Sequence, residues 1–260
     1  MPPAIALTFD NLGEAADLER GLWPPERPLG SHPSVTTALP RLLDELDDLG
    51  LRATFCVEAV NCEMYPDALR EMSRRGHEVA AHGWRHERWD ALGRAAEDET
   101  LARSRRAFAA LGLDVEGFRP PGGELGATGV GPLATHAFRW CSAAGGPARR
   151  EDGITHVPFA WPLVDAYHLL PSFSTVRERL GDPPAPASPE AAAQRLIAWL
   201  DDIARAGADA AARAVILHPF LMVDDEGWAG ARHVLRHVRD MVEERCATVG
   251  PAGDIARGVR

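Results

Sequence analysis

The chain has 260 residues, a formal net charge of −10, an apolar fraction of 45% and a charged fraction of 25%. These fractions are typical of a globular protein, and the negative charge argues against nucleic acid or an anionic membrane as the main partner. No segment predicts membrane insertion. The N-terminus lacks the basic and apolar regions of a signal peptide, so we expect a cytoplasmic protein. The four cysteines form no Cys-x-x-Cys pair and are expected to be free thiols.

The first half of the chain alternates between strand and helix patterns. The apolar run AIALTF predicts a strand that ends at Asp10. A helix follows in SVTTALPRLLDELDDLGL, where Leu42, Leu43 and Leu46 recur at helical spacing and Gly50 is a stop signal. The sequence then predicts, in order, a strand in RATFCV, a helix in YPDALREMSRRG, a strand in HEVAAHG and a helix in AEDETLARSRRAFAALGL.

The second half continues the alternation. A strand running into a turn is predicted in VEGFRPPGG, a short helix and strand in THAFRWCSAAGG, and one strand in ITHVPFAW. Ser188 followed by Glu190 is typical of a helix start and opens a long helix. A strand in ARAVILHPF and a last long helix in EGWAGARHVLRHVRDMVEERC complete the pattern. We therefore expect one α/β domain over residues 1–260, folded as a barrel or incomplete barrel around a parallel sheet.

Polar residues stand where several predicted strands end. Asp10 ends the first strand, His82 and His86 follow the third, Arg119 ends the next, and His218 follows the apolar run AVIL. The carboxyl ends of parallel strands in an α/β barrel share one face, and the active site lies on that face. The coincidence predicts a catalytic site to which distant segments each deliver a polar side chain.

The two histidines are spaced as metal ligands are. Histidines four apart on a helical turn point both imidazoles to one side, as a metal requires. Alone, this spacing is more often accounted for by a turn cap and a solvent-facing residue, because short motifs are weak signals. Their position after a strand, with Asp10 expected nearby, favours metal ligation.

Four motifs in this order and at these separations resemble the polysaccharide deacetylase family, the NodB-homology carbohydrate esterases. They are LTFDN, AHGWRHE, FRPPGG and VILHP, and the resemblance extends from Leu7 to about His218. It implies a distorted (β/α) barrel of seven or eight parallel strands. It also implies hydrolysis of a non-peptide C–N bond, with metal-dependent N-deacetylation of an N-acetyl amino sugar or related acetamide as the leading reaction.

The resemblance assigns roles residue by residue. Asp10 corresponds to the general base, His218 to the general acid and Arg119 to the residue that orients the base. Asn11, His82 and His86 correspond to the ligands of a divalent metal, for which zinc is expected and cobalt or nickel would also suit imidazole. The residues expected to line the substrate site are Pro120, Gly122, Trp84, Trp161 and Asp165.

This sequence departs from the family pattern in three places. Asn11 stands where the family has a second aspartate, so we expect weaker metal binding because an amide brings no charge. Gly122 stands where an aromatic residue often follows Arg-Pro-Pro. The aspartate-rich element that tunes the acid histidine is not recognisable, and its nearest equivalent is WPLVDAYHLLP, where Asp165 could pair with His168 on an extended segment.

Three functions stay open at this point. The first is the N-deacetylase. The second is a cyclic amide, imide or allantoin-like ring-opening hydrolase on the same fold, with or without metal. The third is a carbohydrate-binding protein on an inactive enzyme scaffold. In each case a small molecule or carbohydrate is the expected partner, and the sequence does not determine the oligomeric state.

Overall fold

The computed structural model describes residues 2–207 and 212–259, and its centre is a curled sheet. The strands of this sheet are β1 (Ala4–Asp10), β2 (Thr54–Val57), β3 (Glu78–Ala81), β4 (Gly117–Phe118), β5 (Trp140–Cys141), β6 (Arg149–Glu151), β7 (Ile154–His156), β8 (Phe159–Val164), β9 (Arg213–Leu217) and β10 (Thr248–Gly250).

Helices follow most strands and pack around the sheet. They are α1 (Ala15–Glu19), α2 (Leu39–Asp48), α3 (Asn61–Met64), α4 (Pro66–Arg74), α5 (Arg94–Ala110), α6 (Gly131–Thr135), α7 (Asp165–Leu169), α8 (Ser174–Arg179), α9 (Pro189–Ala206), α10 (Asp225–Glu243) and α11 (Ala252–Gly258). The Ser188 hydroxyl accepts from the Ala191 N–H and caps α9, as the sequence predicts. Within the described residues, no helix has both the length and the apolar character needed to cross a bilayer.

The sheet has the order expected of a distorted barrel. A path of parallel strands runs β7-β5-β4-β3-β2-β1-β9-β8, while β6 pairs antiparallel with β7 and β10 pairs with β1. An isolated parallel bridge between Ala144, just after β5, and Phe159, in β8, links the two sides of the curled sheet. The predicted distorted (β/α) barrel is thereby confirmed.

The core forms because the strands are apolar on both faces and the helices on one. Every residue of β1 from Ile5 to Asp10 is buried, as a strand covered on both sides must be. The inner side of α2 buries Leu39, Leu42, Leu43 and Leu46 at helical spacing. Cys56, Cys62 and Cys141 are buried free thiols and Cys246 is a half-buried one, as the sequence predicts.

Two segments differ from their predicted structure. ITHVPFAW forms two strands, β7 and β8, because Pro158 interrupts the run and has no N–H to donate to a sheet ladder. Residues 165–168, expected to be extended, belong to helix α7. This turn changes the direction in which Asp165 points, and that change affects the site described below.

We predict that Gly117→Ala destabilises the fold. A Cβ atom at Gly117, in β4, would lie 1.9 Å from the Trp140 ring, so the strand that carries Arg119 would have to move. Overpacking of this kind costs about 1–3 kcal/mol in the free energy of unfolding, measured by urea denaturation. Gly250→Ala, in β10, is the matched control, because a Cβ there meets open space, and it should not lower that energy. Equal stability of the two variants would contradict the prediction.

Candidate active site

A cavity of about 610 Å³ opens at the carboxyl ends of the strands. Asp10 ends β1, His82 follows β3, Arg119 follows β4 and His218 follows β9, and all four side chains line this cavity. Parallel strands present their carboxyl ends at one face of a barrel, so residues far apart in sequence meet there. The structure thus brings together the polar residues that the sequence placed at strand ends.

Asp10 and Arg119 form a buried ion pair at the centre of this face. Arg119 Nη1 lies 2.6 Å from Asp10 Oδ1, and both side chains are almost fully buried. The guanidinium also donates to the Thr8 hydroxyl at 2.8 Å and to the Ser142 hydroxyl at 2.8 Å. These bonds fix the arginine between β1 and β5, so its charge faces the carboxylate in one geometry.

The ion pair sets the protonation state of Asp10. Burial alone would raise the pKa of this carboxyl, but the charge and hydrogen bond of Arg119, together with the charge of His218, outweigh burial and hold the pKa below its ordinary value of 3.8. Asp10 is therefore an ionised carboxylate at neutral pH. An ionised carboxylate in a cavity can accept a proton.

The pKa of His218 is raised, whereas that of Asp10 is lowered, and the neighbouring Asp165 is the cause. His218 Nδ1 lies 2.5 Å from Asp165 Oδ1, and the His218 backbone N–H donates to Asp165 Oδ2 at 2.7 Å. Burial lowers the pKa of His218, but the Asp165 carboxylate outweighs burial and raises it above 6.5. His218 can therefore carry a proton near neutral pH and present it through Nε2.

A possible metal-ligand cluster lies beside Asp10. It comprises Glu58, which directly follows β2, with His82 and His86, and one ligand atom from each lies within 4.8 Å of the others. Backbone bonds join the two turns that carry these residues: the His82 N–H donates to the Val57 carbonyl and the Ala59 N–H to the Gly83 carbonyl. The cluster thus depends on β2 and β3 being neighbours.

The chemistry of the donor atoms fits a divalent cation. His82 Nδ1 lies 2.8 Å from the Arg119 carbonyl oxygen, which can only accept, so Nδ1 carries the hydrogen and Nε2 keeps its lone pair. Burial lowers the pKa of His82, and it lowers that of His86 to about 3, so both imidazoles are neutral. Burial also raises the pKa of Glu58 well above 4.5, and its Oε1 has no hydrogen-bond partner.

Asn11 lies at the same cavity, with its Oδ1 buried and without a hydrogen-bond partner among the described residues. Its backbone has φ +58°, and that of His86 has φ +71°. Residues other than glycine rarely adopt these left-handed backbone φ values, and backbone strain of this kind clusters at functional sites. The two histidines also do not share a helical turn, as the spacing argument assumed, because residues 82–88 form irregular bends.

An apolar wall closes the other side of the cavity. It contains Trp161, whose ring packs against Phe159 and Phe173 with centroids 5.3 and 5.4 Å away. Gly123 permits this packing, because a Cβ there would lie 2.7 Å from the Phe159 ring. Pro120 and Gly122 line the cavity beside it.

Two residues expected at the substrate site lie elsewhere. Trp84 is buried outside the cavity, with the Arg103 guanidinium 3.5 Å from its ring centroid. Asp165 is behind His218 because helix α7 turns it inward, so it contacts the acid histidine rather than the cavity. His168 does not pair with Asp165, and its Nε2 lies 3.0 Å from the Pro162 carbonyl oxygen.

Glu58 is the residue that the sequence argument missed. It directly follows the strand predicted in RATFCV, so the rule applied to Asp10 and His82 also points to it. Acidic residues are common, however, and Glu58 lies in none of the motifs considered.

The comparisons with known proteins agree with this geometry. The family model described as Polysaccharide deacetylase matches residues 2–136. A Mycobacterium smegmatis protein with a provisional assignment as a polysaccharide deacetylase has 26% identity and a TM-score of 0.83, with 100% of this chain and 90% of that one covered. None of the curated proteins matches.

Two further solved structures share the fold at lower identity. Puue allantoinase has 16% identity and a TM-score of 0.73, covering 98% of this chain and 89% of its own. A Bacillus anthracis protein described as a CE4 family pseudoenzyme has 15% identity and a TM-score of 0.62, covering 100% of this chain and 67% of its own. This chain belongs to the polysaccharide deacetylase family, whose hydrolases act on amide-type bonds of carbohydrates.

We predict that Asp165→Asn lowers the pKa of His218. The variant removes the carboxylate that contributes most to raising this pKa and leaves burial, which lowers it, so the pKa should fall. Titration of the histidine ring protons by NMR measures the change. Asp201→Asn is the control, because Asp201 contacts His237 on the surface at 2.9 Å and not His218. An unchanged His218 titration in Asp165→Asn would contradict the assignment.

Proposed function

We propose that this chain hydrolyses a non-peptide C–N bond, with removal of the acetyl group from an N-acetyl amino sugar or related acetamide as the leading reaction. The observation that carries the proposal is a carboxylate held ionised and a histidine held protonated in one cavity, Asp10 and His218. Amide hydrolysis needs both, because water must lose a proton and the leaving nitrogen must gain one. We treat residues 1–260 as one catalytic domain.

Asp10 is the general base and His218 the general acid in this mechanism. Arg119 keeps Asp10 ionised, so Asp10 accepts the proton of the attacking water. Asp165 keeps His218 protonated through Nδ1, so Nε2 donates to the leaving nitrogen. The hydrolysis rate should therefore be highest between two pH values. It should fall at low pH as Asp10 becomes protonated, with a pKa below 3.8, and at high pH as His218 loses its proton, with a pKa above 6.5.

Glu58, His82 and His86 would hold the metal, with the Asn11 amide oxygen as a further ligand. Neutral imidazoles together with a buried carboxylate suit zinc, and cobalt or nickel would also bind. When bound, the ion would polarise the amide carbonyl and lower the pKa of water. Metal binding would displace the proton that burial favours on Glu58, and the ionised Glu58 would then supply the negative charge that Asn11 does not.

The remaining cavity residues bind and orient the substrate. Trp161 offers a half-buried aromatic face on which a sugar or heterocycle can stack. Pro120 and Gly122 form the turn beside Arg119, and the Gly122 N–H is a candidate donor to the developing oxyanion. Trp84 and Asp165 support this shell from behind.

Ring opening of a cyclic amide or imide is the second candidate. The same base and acid serve that reaction. Burial favours the protonated form of Glu58, so in a reaction that uses no metal a proton could neutralise this carboxylate instead. A carbohydrate-binding protein without catalysis is the third candidate, since a relative of the same fold is described as a pseudoenzyme.

We predict that Asp10→Asn removes most of the activity while the fold remains, because the change keeps the shape and deletes the base. Two panels identify the reaction. N-acetyl amino sugars and their nucleotide- or lipid-linked forms are read by acetate release, and cyclic imides, hydantoin and allantoin by ring opening. Acetate release alone supports the leading proposal, and ring opening alone the second candidate.

The control for this experiment is Asp114→Asn, an exposed aspartate before the amino end of β4 and outside the cavity lining, which should keep full activity. Saturable sugar binding without turnover in either panel would favour the binding-protein alternative. Full activity of Asp10→Asn would contradict the assignment of the base.

We predict that Glu58→Gln weakens zinc binding by at least about tenfold, because the only carboxylate of the cluster loses its charge. Metal analysis of gently purified protein and zinc titration measure this. Glu63→Gln, an exposed change five residues later, is the control and should have no effect. Asn11→Asp should tighten binding by adding a charge.

Wild-type affinity in Glu58→Gln would remove Glu58 from the ligand set. Full hydrolytic activity of a metal-free preparation would contradict the metal requirement and favour the ring-opening candidate.

A further inference from the structure

Two arginines without acidic partners stand at the cavity. Arg20 directly follows α1 and Arg179 ends α8; both line the cavity and both are exposed. Among the described residues, neither has a carboxylate within the 4.0 Å of an ion pair. Arg119, the remaining arginine of the cavity, is buried and already paired with Asp10. Two guanidinium groups thus remain available to a ligand.

Exposed arginines elsewhere on this acidic chain fall into two groups. Some form ion pairs, such as Arg94 with Asp98 and the half-buried Arg75 with Asp44, Asp47 and Glu71. Others, such as Arg52, Arg106 and Arg150, are exposed and have no ion pair among the described residues. The feature that distinguishes Arg20 and Arg179 is therefore their position at the cavity.

The segments that carry these arginines are held in place. Glu14, buried just before α1, accepts from the Gly30 and Ser31 N–H groups and from the Tyr65 hydroxyl. Arg177, fully buried in α8, donates to carbonyl oxygens of three residues, Tyr167, Leu170 and Pro184. The backbone of both segments is thereby held at the cavity, while the Arg20 and Arg179 side chains are exposed.

The cavity also carries two carboxylates that are not bonded to these arginines. Asp17 Oδ2 lies 3.8 Å from His32 Nε2, and Glu124 is exposed on the turn after Arg119. A cationic ligand would use these groups. A guanidinium instead suits an anionic ligand, because its planar N–H groups can donate two parallel hydrogen bonds to one carboxylate or phosphate.

We propose that Arg20 and Arg179 form an anion-recognition subsite, and that the substrate bears a carboxylate or phosphate in addition to the amide that reacts. This inference rests on the proposed function for the identity of the reacting amide, but not for the binding of the anion. It narrows the substrate class from N-acyl compounds in general to anionic ones.

Binding is tested with inorganic phosphate as the probe, by isothermal titration of the full-length protein before and after chelator treatment. Arg20→Gln and Arg179→Gln should each weaken phosphate binding by about tenfold, the loss expected for a charge-assisted hydrogen bond. Arg150→Gln, an exposed arginine on β6, is the control and should bind as the wild type does. Binding equal in all variants would overturn the proposal.

Hydrolysis is tested with matched amides: N-acetylglucosamine, its 6-phosphate, N-acetylmuramic acid and N-acetyl-lysine amide. The two anionic compounds should have the higher kcat/KM, and their advantage should shrink about tenfold in Arg20→Gln and in Arg179→Gln but not in Arg150→Gln. Preference between the phosphate and the carboxylate identifies the anion. Phosphate binding that is lost in both variants would support the subsite even if no amide is hydrolysed.

A higher kcat/KM for the neutral or the cationic amide, unchanged in both arginine variants, would overturn the subsite and leave the proposed function standing. Failure of the anion-recognition subsite and failure of the proposed hydrolysis therefore give different results.

Discussion

The buried ion pair of Asp10 and Arg119 is the constraint on which the site depends. A buried guanidinium is costly unless its hydrogens are bonded, and here Thr8 and Ser142 accept from it while its charge faces Asp10. The backbone carbonyl of the same arginine accepts from the His82 ring and fixes that ring's tautomer. One residue thus connects Asp10, the proposed base, with His82 of the candidate metal-ligand cluster. Removing either partner would leave a buried charge uncompensated.

The site moves the pKa values of Asp10 and His218 in opposite directions by giving each group a partner of opposite charge. Asp10 faces a cation, which lowers its pKa, while His218 faces the carboxylate of Asp165, which raises its pKa above 6.5. Both are buried, so burial alone would have made both neutral. Catalytic acids and bases are recognised by environments that move their pKa values apart. Here the directions are those that the proposed amide hydrolysis requires, and the two groups lie at the ends of the neighbouring strands β1 and β9.

Much of this arrangement follows from the sequence. Apolar strands alternating with amphipathic helices predict the barrel, and Asp10, His82, Arg119 and His218 are predicted at one face because each stands at a strand end. The partner of His218 could not be predicted, because helix α7 rather than an extended segment aims Asp165 at it. Glu58 was missed for a different reason: it also stands at a predicted strand end, but it belongs to none of the motifs, and its proximity to His82 and His86 comes from the bonding of the turn after β2 to the turn after β3.

The carboxyl titration of Asp10 tests the central claim most directly, because it needs neither substrate nor metal. Carbon-13 NMR of aspartate carboxyls, with Asp10→Asn for assignment, would follow this group as the pH falls. The account predicts that Asp10 protonates below its ordinary pKa of 3.8 in the wild type, and at a higher pH in Arg119→Gln. Protonation of Asp10 above pH 3.8 in the folded wild type would contradict the claim that its ion pair with Arg119 outweighs burial.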